Sequence, residues 1–287
     1  MNLKRMSLLF VACLVISACK DEQVNTGKAS YEQTIIDKLV FVEGGTFMMG
    51  DVGYTDQNGN FHYFTGDRNT RPVHEVTLTS YSIQAYEVTM DDFDRYSKSI
   101  GEEMIAKDWR TEKHYGGNYP AKRMTWDQAQ SYCIWLGNLI GYPMSLPTEA
   151  QWEYAARSRG KAVAHATNNG DIEYGVNYRD PKKGIFSRPV GSWPPNPLGI
   201  YDMSGNVSEW TVDWWYGYRK NPVVDPRNDS EIPKRSKHKI WRGSGAIGGK
   251  GQIQLYRRGA DEKDNIGAGH GLRCAVNHPE KITQPNK

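Results

Sequence analysis

The chain has 287 residues, enough to bury a sizeable core, and its patterning favours one large domain over two small ones. Only 38% of residues are hydrophobic, yet there are 9 Trp and 17 Tyr, so the interior must rest on large rings with polar edges and suits a loop-rich fold. With 36 basic and 33 acidic residues the net charge is +3, too balanced for a nucleic-acid partner, and no DNA or RNA binding is expected.

Lys4 and Arg5 precede an apolar run from Leu8 to Ile16 and then Ser17 and Ala18, which gives residues 1–18 the three regions of an export signal. The run is too short to span a bilayer. Ile16-Ser-Ala-Cys19 resembles the lipobox of bacterial lipoproteins, which implies cleavage before Cys19 and lipid on its sulfur; an ordinary secretory signal with a chance cysteine is the alternative. Residues 19–37 are assigned to the lipidated cysteine and a flexible tether. Lys20 stands where enterobacterial lipoproteins carry an inner-membrane retention Asp, so the resemblance implies the outer membrane, facing the periplasm. Cys13 leaves with the signal. Cys133 and Cys274 remain as an even pair in an exported chain, which points to a disulfide, with two buried thiols as the other reading.

The folded domain is expected over 38–278, followed by a tail at 279–287. Residues 38–50 form a β-rich run broken at Gly44-Gly45 and read as a hairpin. Asp51 to Arg71 is polar and aromatic, a surface loop. Val73 to Thr79 reads as a strand whose apolar spacing is irregular enough for a bulge, and His74 within it as a structural histidine rather than a ligand or base. Three helices announce their starts: Thr89 with Asp92, Thr125 with Gln128 and Thr148 with Gln151 each place a hydroxyl at an N-cap and an acid or amide three residues on. In the second, Trp126, Ala129, Cys133, Leu136 and Leu139 or Ile140 share a face, which turns Cys133 toward the core. Gly199-Ile-Tyr-Asp-Met-Ser-Gly-Asn-Val-Ser-Glu-Trp-Thr-Val-Asp-Trp-Trp215 has neither helical nor strand alternation and reads as irregular backbone rich enough in oxygen to hold a hard cation. A long insertion from Tyr216 to Lys239 follows; such insertions on a rigid scaffold commonly carry recognition.

The blocks Phe41-Val-Glu-Gly-Gly-Thr-Phe-Met-Met-Gly50, Arg71-Pro-Val-His-Glu-Val76, Tyr86-Glu-Val-Thr89, Met124-Thr-Trp-Asp-Gln-Ala129, Leu146-Pro-Thr-Glu-Ala-Gln-Trp-Glu-Tyr-Ala-Ala-Arg157, Gly199 to Val207, Trp241-Arg-Gly243 and Gly271-Leu-Arg-Cys-Ala275 occur in this order. Together they resemble the formylglycine-generating enzyme, or sulfatase-modifying factor, family. The resemblance implies a compact α+β fold, C-type-lectin-like and low in regular secondary structure, and a disulfide between Cys133 and Cys274. It also implies, for active members, oxidation of a client cysteine by two cysteines that bind copper. Soft thiolates are required to hold Cu(I). By spacing, Gly248 and Ile253 occupy those two positions, and Ser208 stands where the family has a Trp, so no copper and no catalytic residue are expected.

The resemblance further implies a calcium held by Asp202, Met203, Gly205 and Val207; the alternative is a turn closed by the side chains of Asp202 and Asn206 alone. A second family calcium site would begin at Asn177 and Tyr178, but Lys182-Lys183 stand in place of its Asp. The expected function is a non-catalytic, lipid-anchored periplasmic protein that binds a protein partner through Gly248, Lys250, Arg257 and Arg258 and the insertion. An immunity role against a secreted, lipase-like effector fits this placement. A structural lipoprotein of the envelope or of a secretion machine, or an enzyme acting through His270 or Tyr256 and Arg257, are the other classes.

Overall fold

The computed structural model describes residues 31–105, 116–180, 182, 184, 186–230, 237–246, 249–267 and 269–286. Cys19 and the export signal lie outside them. The tether assigned through residue 37 ends earlier, because residues 31–37 are helical and Ile35 and Ile36 enter the main core beside Phe93 and Leu136. The tail assigned from 279 is likewise part of the domain. Ile282 is buried in that core, Gln33 Nε2 donates to the Thr283 carbonyl (3.3 Å), and Asn286 N–H donates to the Ile140 carbonyl (2.8 Å).

Strand β1 (Leu39–Val42) and β2 (Gly45–Met49) do not form a hairpin. β1 pairs with β6 (Tyr81–Gln84), while β2 pairs with β5 (His74–Leu78), so Gly44-Gly45 is a crossing between two sheets. A side chain at Gly44 would fall against the Leu78 carbonyl and the Ser80 N–H, which is why the crossing takes glycine. β5 carries no bulge: His74, Val76 and Leu78 point inward in plain alternation, and the irregularity came from counting Val73, which precedes the strand. The loop at 51–71 contains a short hairpin, β3 (Tyr54–Thr55) with β4 (Phe61–His62). Buried Asp51 closes its base by accepting the N–H groups of Gly53, Phe64 and Thr65.

Helices α1 (Met90–Ser99), α2 (Trp126–Ile140) and α3 (Glu149–Ala156) begin at Thr89, Thr125 and Thr148, each hydroxyl accepting the N–H three residues on. In α2 and α3 the Gln amide also reaches back to the cap, completing the capping box. Ala129, Cys133, Leu136 and Ile140 line the buried face of α2. Cys133 is bonded to Cys274, just before β12 (Ala275–Val276), across 141 residues. β12 lies between β6 and β7 (Met144–Ser145) in the order β1-β6-β12-β7.

The stretch from Gly199 divides. Residues 199–208 are irregular, and β8 (Glu209–Trp214) follows with all six residues buried, which removes the alternation that would have marked a strand. β8 pairs with β10 (His238–Arg242), which pairs with β11 (Gly259–Glu262). The insertion adds β9 (Val223–Val224) in parallel beside β5.

A cross-link over so long a loop stabilises by about 4 to 5 kcal/mol in the chain-entropy model. Cys133→Ala is therefore expected to lower the melting temperature by roughly 10 °C. Non-reducing peptide mapping of the unmutated chain should recover the joined 133 and 274 peptides; finding both thiols alkylatable would refute the bond.

Candidate functional site

The surface on which the sequence resemblance would place the oxidation site includes the end of β10, the described residues of the segment after it and β11. Ile253, at one of the two expected copper positions, is fully buried and packs with Ile172 and Tyr178. Gly248, at the other, lies outside the described residues. An aliphatic side chain in an apolar cluster offers no electron pair to a metal. Tyr256 stacks on Phe64 (5.1 Å), and burial pushes its phenol well above the ordinary range.

Ser208, in place of the expected Trp, hydrogen-bonds Nδ1 of His270 (2.6 Å), and Nε2 of His270 meets Oδ2 of Asp261 (3.1 Å). A proton shared between Nε2 and Asp261 leaves Nδ1 to accept the Ser208 hydroxyl. Burial lowers the His270 pKa, with Asp261 opposing. Ser208 and His270 are both buried, and the imidazole lies against Trp210 (4.3 Å) and Trp241 (5.3 Å), so this chain of bonds ties β8 to β11 rather than presenting a nucleophile.

Beneath this surface lies a buried ionic lattice. Glu149 and Glu153 stand one turn apart on α3. Arg242 bridges them, with Nη1 to Glu149 (2.7 Å) and Nη2 to Glu153 (2.8 Å). Arg258 grips Glu149 with Nε (2.5 Å) and Nη2 (2.7 Å), and Arg157 holds Glu153 (2.9 Å). Burial alone would raise both carboxyls; Arg258 and Arg242 for Glu149, and Arg242 and Arg157 for Glu153, outweigh it and hold both below the ordinary value. Arg258 is therefore spent inside the protein and is not available to a partner, contrary to the sequence expectation. Lys250 and Arg257 remain on the rim, Lys250 paired with Asp171 (2.7 Å) and Arg257 with Asp67 (3.0 Å).

His74 behaves structurally: its Nδ1 meets the Pro72 carbonyl (3.2 Å) and its ring lies on Tyr218 (4.8 Å). Asn177 spends its Oδ1 on the Glu173 N–H, closing its own loop.

The loop of residues 202–207 contains two left-handed residues other than glycine, Asp202 (φ 61°) and Asn206 (φ 64°). Asp202 Oδ2 accepts the Gly191 N–H (2.7 Å). Asn206 donates to Glu87 (2.5 Å), which also accepts the Val207 N–H (3.1 Å), while Glu209 is gripped twice by buried Arg273 (2.7 Å each). Burial pushes Asp202 up to about 6, Arg273 opposing and Glu209 reinforcing; burial, then Asp202 and Glu209, push Glu87 well up. Asp202, Gly205 and Asn206 border a cavity of about 20 Å³, room for one water-sized species, and Arg179 and Arg188 also border it. Among the described residues no three His, Cys, Asp or Glu side chains converge on a metal position, so a cation here would rest on Asp202 and on backbone oxygens of Met203, Gly205 and Val207. Of the four residues expected to hold calcium only Asp202 and Gly205 line this cavity, where one carboxylate stands with two arginines, so the lining alone does not assemble a calcium site. Glu87 escaped the sequence reading, although it stands in the block Tyr86-Glu-Val-Thr89; nothing local marks it as a partner of residues some 120 positions away.

Residues 25–278 match the model of the family described as Sulfatase-modifying factor enzyme 1-like domain. The chain belongs to this family. Within it, the chain is 30% identical to the serine/threonine-protein kinase pkn1 of Chlamydia pneumoniae, over 85% of this chain and 39% of the kinase, so it spans about two fifths of that relative. It is 27% identical to the chaperone protein LppX of Paenibacillus barcinonensis over 93% of this chain and 96% of LppX. Among solved structures, PvdO from Pseudomonas aeruginosa superposes with a TM-score of 0.63 at 26% identity, covering 83% of this chain and 93% of PvdO. The sulfatase-modifying-factor family thus supplies the α+β scaffold, and the fold expected from the sequence is the one observed.

Asp202 supplies the test of the cation. Raised by burial to about 6, its pKa lies above the ordinary value of 3.8, so the folded state holds the extra proton between those values and stability falls as pH rises through that window. Calcium bound to the carboxylate would offset this loss. Melting of EDTA-stripped protein should rise on adding Ca²⁺ at pH 7.5 and much less at pH 5, and Asp202→Asn should abolish the rise. Because Asp213 is also raised to about 6 by burial, the comparison is between the two proteins and not between pH values alone.

Proposed function

We propose that this chain is a non-catalytic binding protein on the sulfatase-modifying-factor scaffold, held at the bacterial envelope by lipid on Cys19 and gripping a protein partner. The observation that carries the reading is Ile253, an aliphatic side chain fully buried where copper chemistry needs a thiolate. Its likeness to the chaperone protein LppX along nearly the whole of both chains supports a client-binding role. The binding face is the loop of residues 244–257 with Lys250 and Arg257 on its rim. Exposed aromatic residues flank it: Tyr54, Phe61 and Tyr63 on the hairpin that reaches Tyr256 through Phe64, and Tyr174, whose hydroxyl accepts the Lys250 N–H. The narrower form of the proposal is neutralisation of a secreted, lipase-like effector. No helix among the described residues is long and apolar enough to cross a membrane, so attachment would rest on the lipid.

Incubation with a cysteine-containing sulfatase peptide and copper should leave the peptide unchanged by mass spectrometry; conversion to the aldehyde overturns the reading. Affinity capture from the envelope should return a stoichiometric protein partner, and Lys250→Glu with Arg257→Glu should weaken it at least tenfold at unchanged melting temperature. Capture of a large insoluble assembly instead would favour a scaffold role, and a deletion strain indifferent to effector-delivering kin would remove the immunity form.

Cys19→Ser should move the protein from the membrane to the soluble fraction. An unchanged distribution would remove the anchor.

A further inference from the structure

A cavity of about 330 Å³ opens between the start of α3 and the insertion, within the size range of small-molecule sites. It shares no lining residue with the oxidation-equivalent surface or the 202–207 loop. One wall is scaffold, with Ser80, Thr148 and Asn277; the other is the insertion, with Asp225 and Arg227. Asp225 is held in the left-handed region (φ 43°), and its two oxygens accept the Thr79 N–H (2.8 Å) and hydroxyl (2.7 Å). The insertion wall is thereby fastened to the end of β5.

Much of the hydrogen-bonding capacity around the cavity is unspent. Ser80 Oγ accepts the Gly44 N–H (3.0 Å) and Thr148 Oγ1 the Gln151 N–H (3.1 Å), so each keeps its hydroxyl proton to donate. Gln151 Nε2 donates to Asn277 Oδ1 (2.6 Å), which leaves the Asn277 amide hydrogens. Arg227 is tied through Nε to Asp229 (2.6 Å) and through Nη1 to Ser145 (3.4 Å), which leaves Nη2. Each oxygen of Asp225 retains a further lone pair. Leu78 and Pro279 add an apolar patch.

Charge and donor pattern select the ligand. The lining carries one acid, Asp225, and one base, Arg227, and the base is already paired with Asp229, so no net positive charge is left to hold a phosphate, sulfate or carboxylate. Alternating donors and acceptors beside an apolar patch match a ring with hydroxyl groups on its edge and C–H bonds on its face. We infer that the cavity binds a neutral saccharide of one or two rings, its hydroxyls bonded to Asp225, Arg227, Asn277, Ser80 and Thr148.

The full chain in detergent, titrated with maltose and with N,N′-diacetylchitobiose and followed by saturation-transfer NMR and calorimetry, should bind at least one of them saturably, with Kd of about 1 mM or tighter. Asn277→Ala and Arg227→Ala should each weaken binding roughly tenfold, the loss of about one hydrogen bond, at unchanged melting temperature. Asn277→Leu, which replaces the amide with an apolar side chain among the hydroxyl-bonding groups, should abolish it. The inference fails if neither disaccharide saturates, if binding survives Asn277→Leu, or if glucose 6-phosphate or a glycine tripeptide binds the site more tightly. None of these outcomes depends on a protein partner at the 244–257 loop, so this inference and the proposed function stand or fall separately.

Discussion

Everything on the upper face of this molecule rests on two glutamates of one short helix. Burying Glu149 and Glu153 would cost several kcal/mol each if they stood alone; Arg258, bidentate on Glu149, Arg242, which bridges the two, and Arg157 on Glu153 make the burial tolerable. The geometry then propagates. Arg242 fixes the end of β10, and with it the glycine turn at Gly243 whose carbonyl accepts the Gly205 N–H (2.8 Å). Arg258 fixes the start of β11 and lies over Tyr218 (3.8 Å), so the insertion is pinned from below. Removing any one of these arginines leaves a charged group without its partner in the interior, a larger penalty than the pair contributes when whole.

A second pair, Glu209 with Arg273, joins β8 to the segment that carries Cys274 and leads into β12. Trp152 Nε1 also donates to Glu209 (2.8 Å), linking this pair to α3. The scaffold is therefore cross-braced by charge rather than by a thick aliphatic core, in keeping with a chain poor in aliphatic residues and rich in rings. Such bracing keeps the fold in place while the surface chemistry above it changes. Ile253 contributes only apolar contact and Ser208 closes its own bond with His270, so neither residue takes part in the lattice.

The helix starts were legible because capping is local: a Thr and a Gln three residues on are both cause and signal. Cys133 was legible because its helix face is periodic. The glycine crossing at 44–45 was not, since a hairpin turn and a passage between sheets use the same residue, and only the distant Leu78 carbonyl decides between them. Arg258 looked like surface charge because the partner that claims it is not its sequence neighbour Asp261 or Glu262 but Glu149, over a hundred residues away. β8 hid its strand character for the opposite reason, being buried on both faces. The insertion was marked as a place for recognition, but the cavity it forms depends on Ser80 and Asn277, which carry no mark of their own, and on Thr148, marked only as a helix cap.

The first and last described segments of the domain meet. Gln33 reaches the Thr283 carbonyl, and Ile35, Ile36 and Ile282 share one core. A domain whose ends lie side by side can be spliced into or onto a longer polypeptide without disturbing its strands, and it tolerates joining of its termini with new ones opened in an outer turn. The relative in which such a region accounts for 39% of a kinase is a case of the former. Modularity of this kind is a property of the entry and exit points, and it lets one braced scaffold travel between architectures while its loops are rewritten.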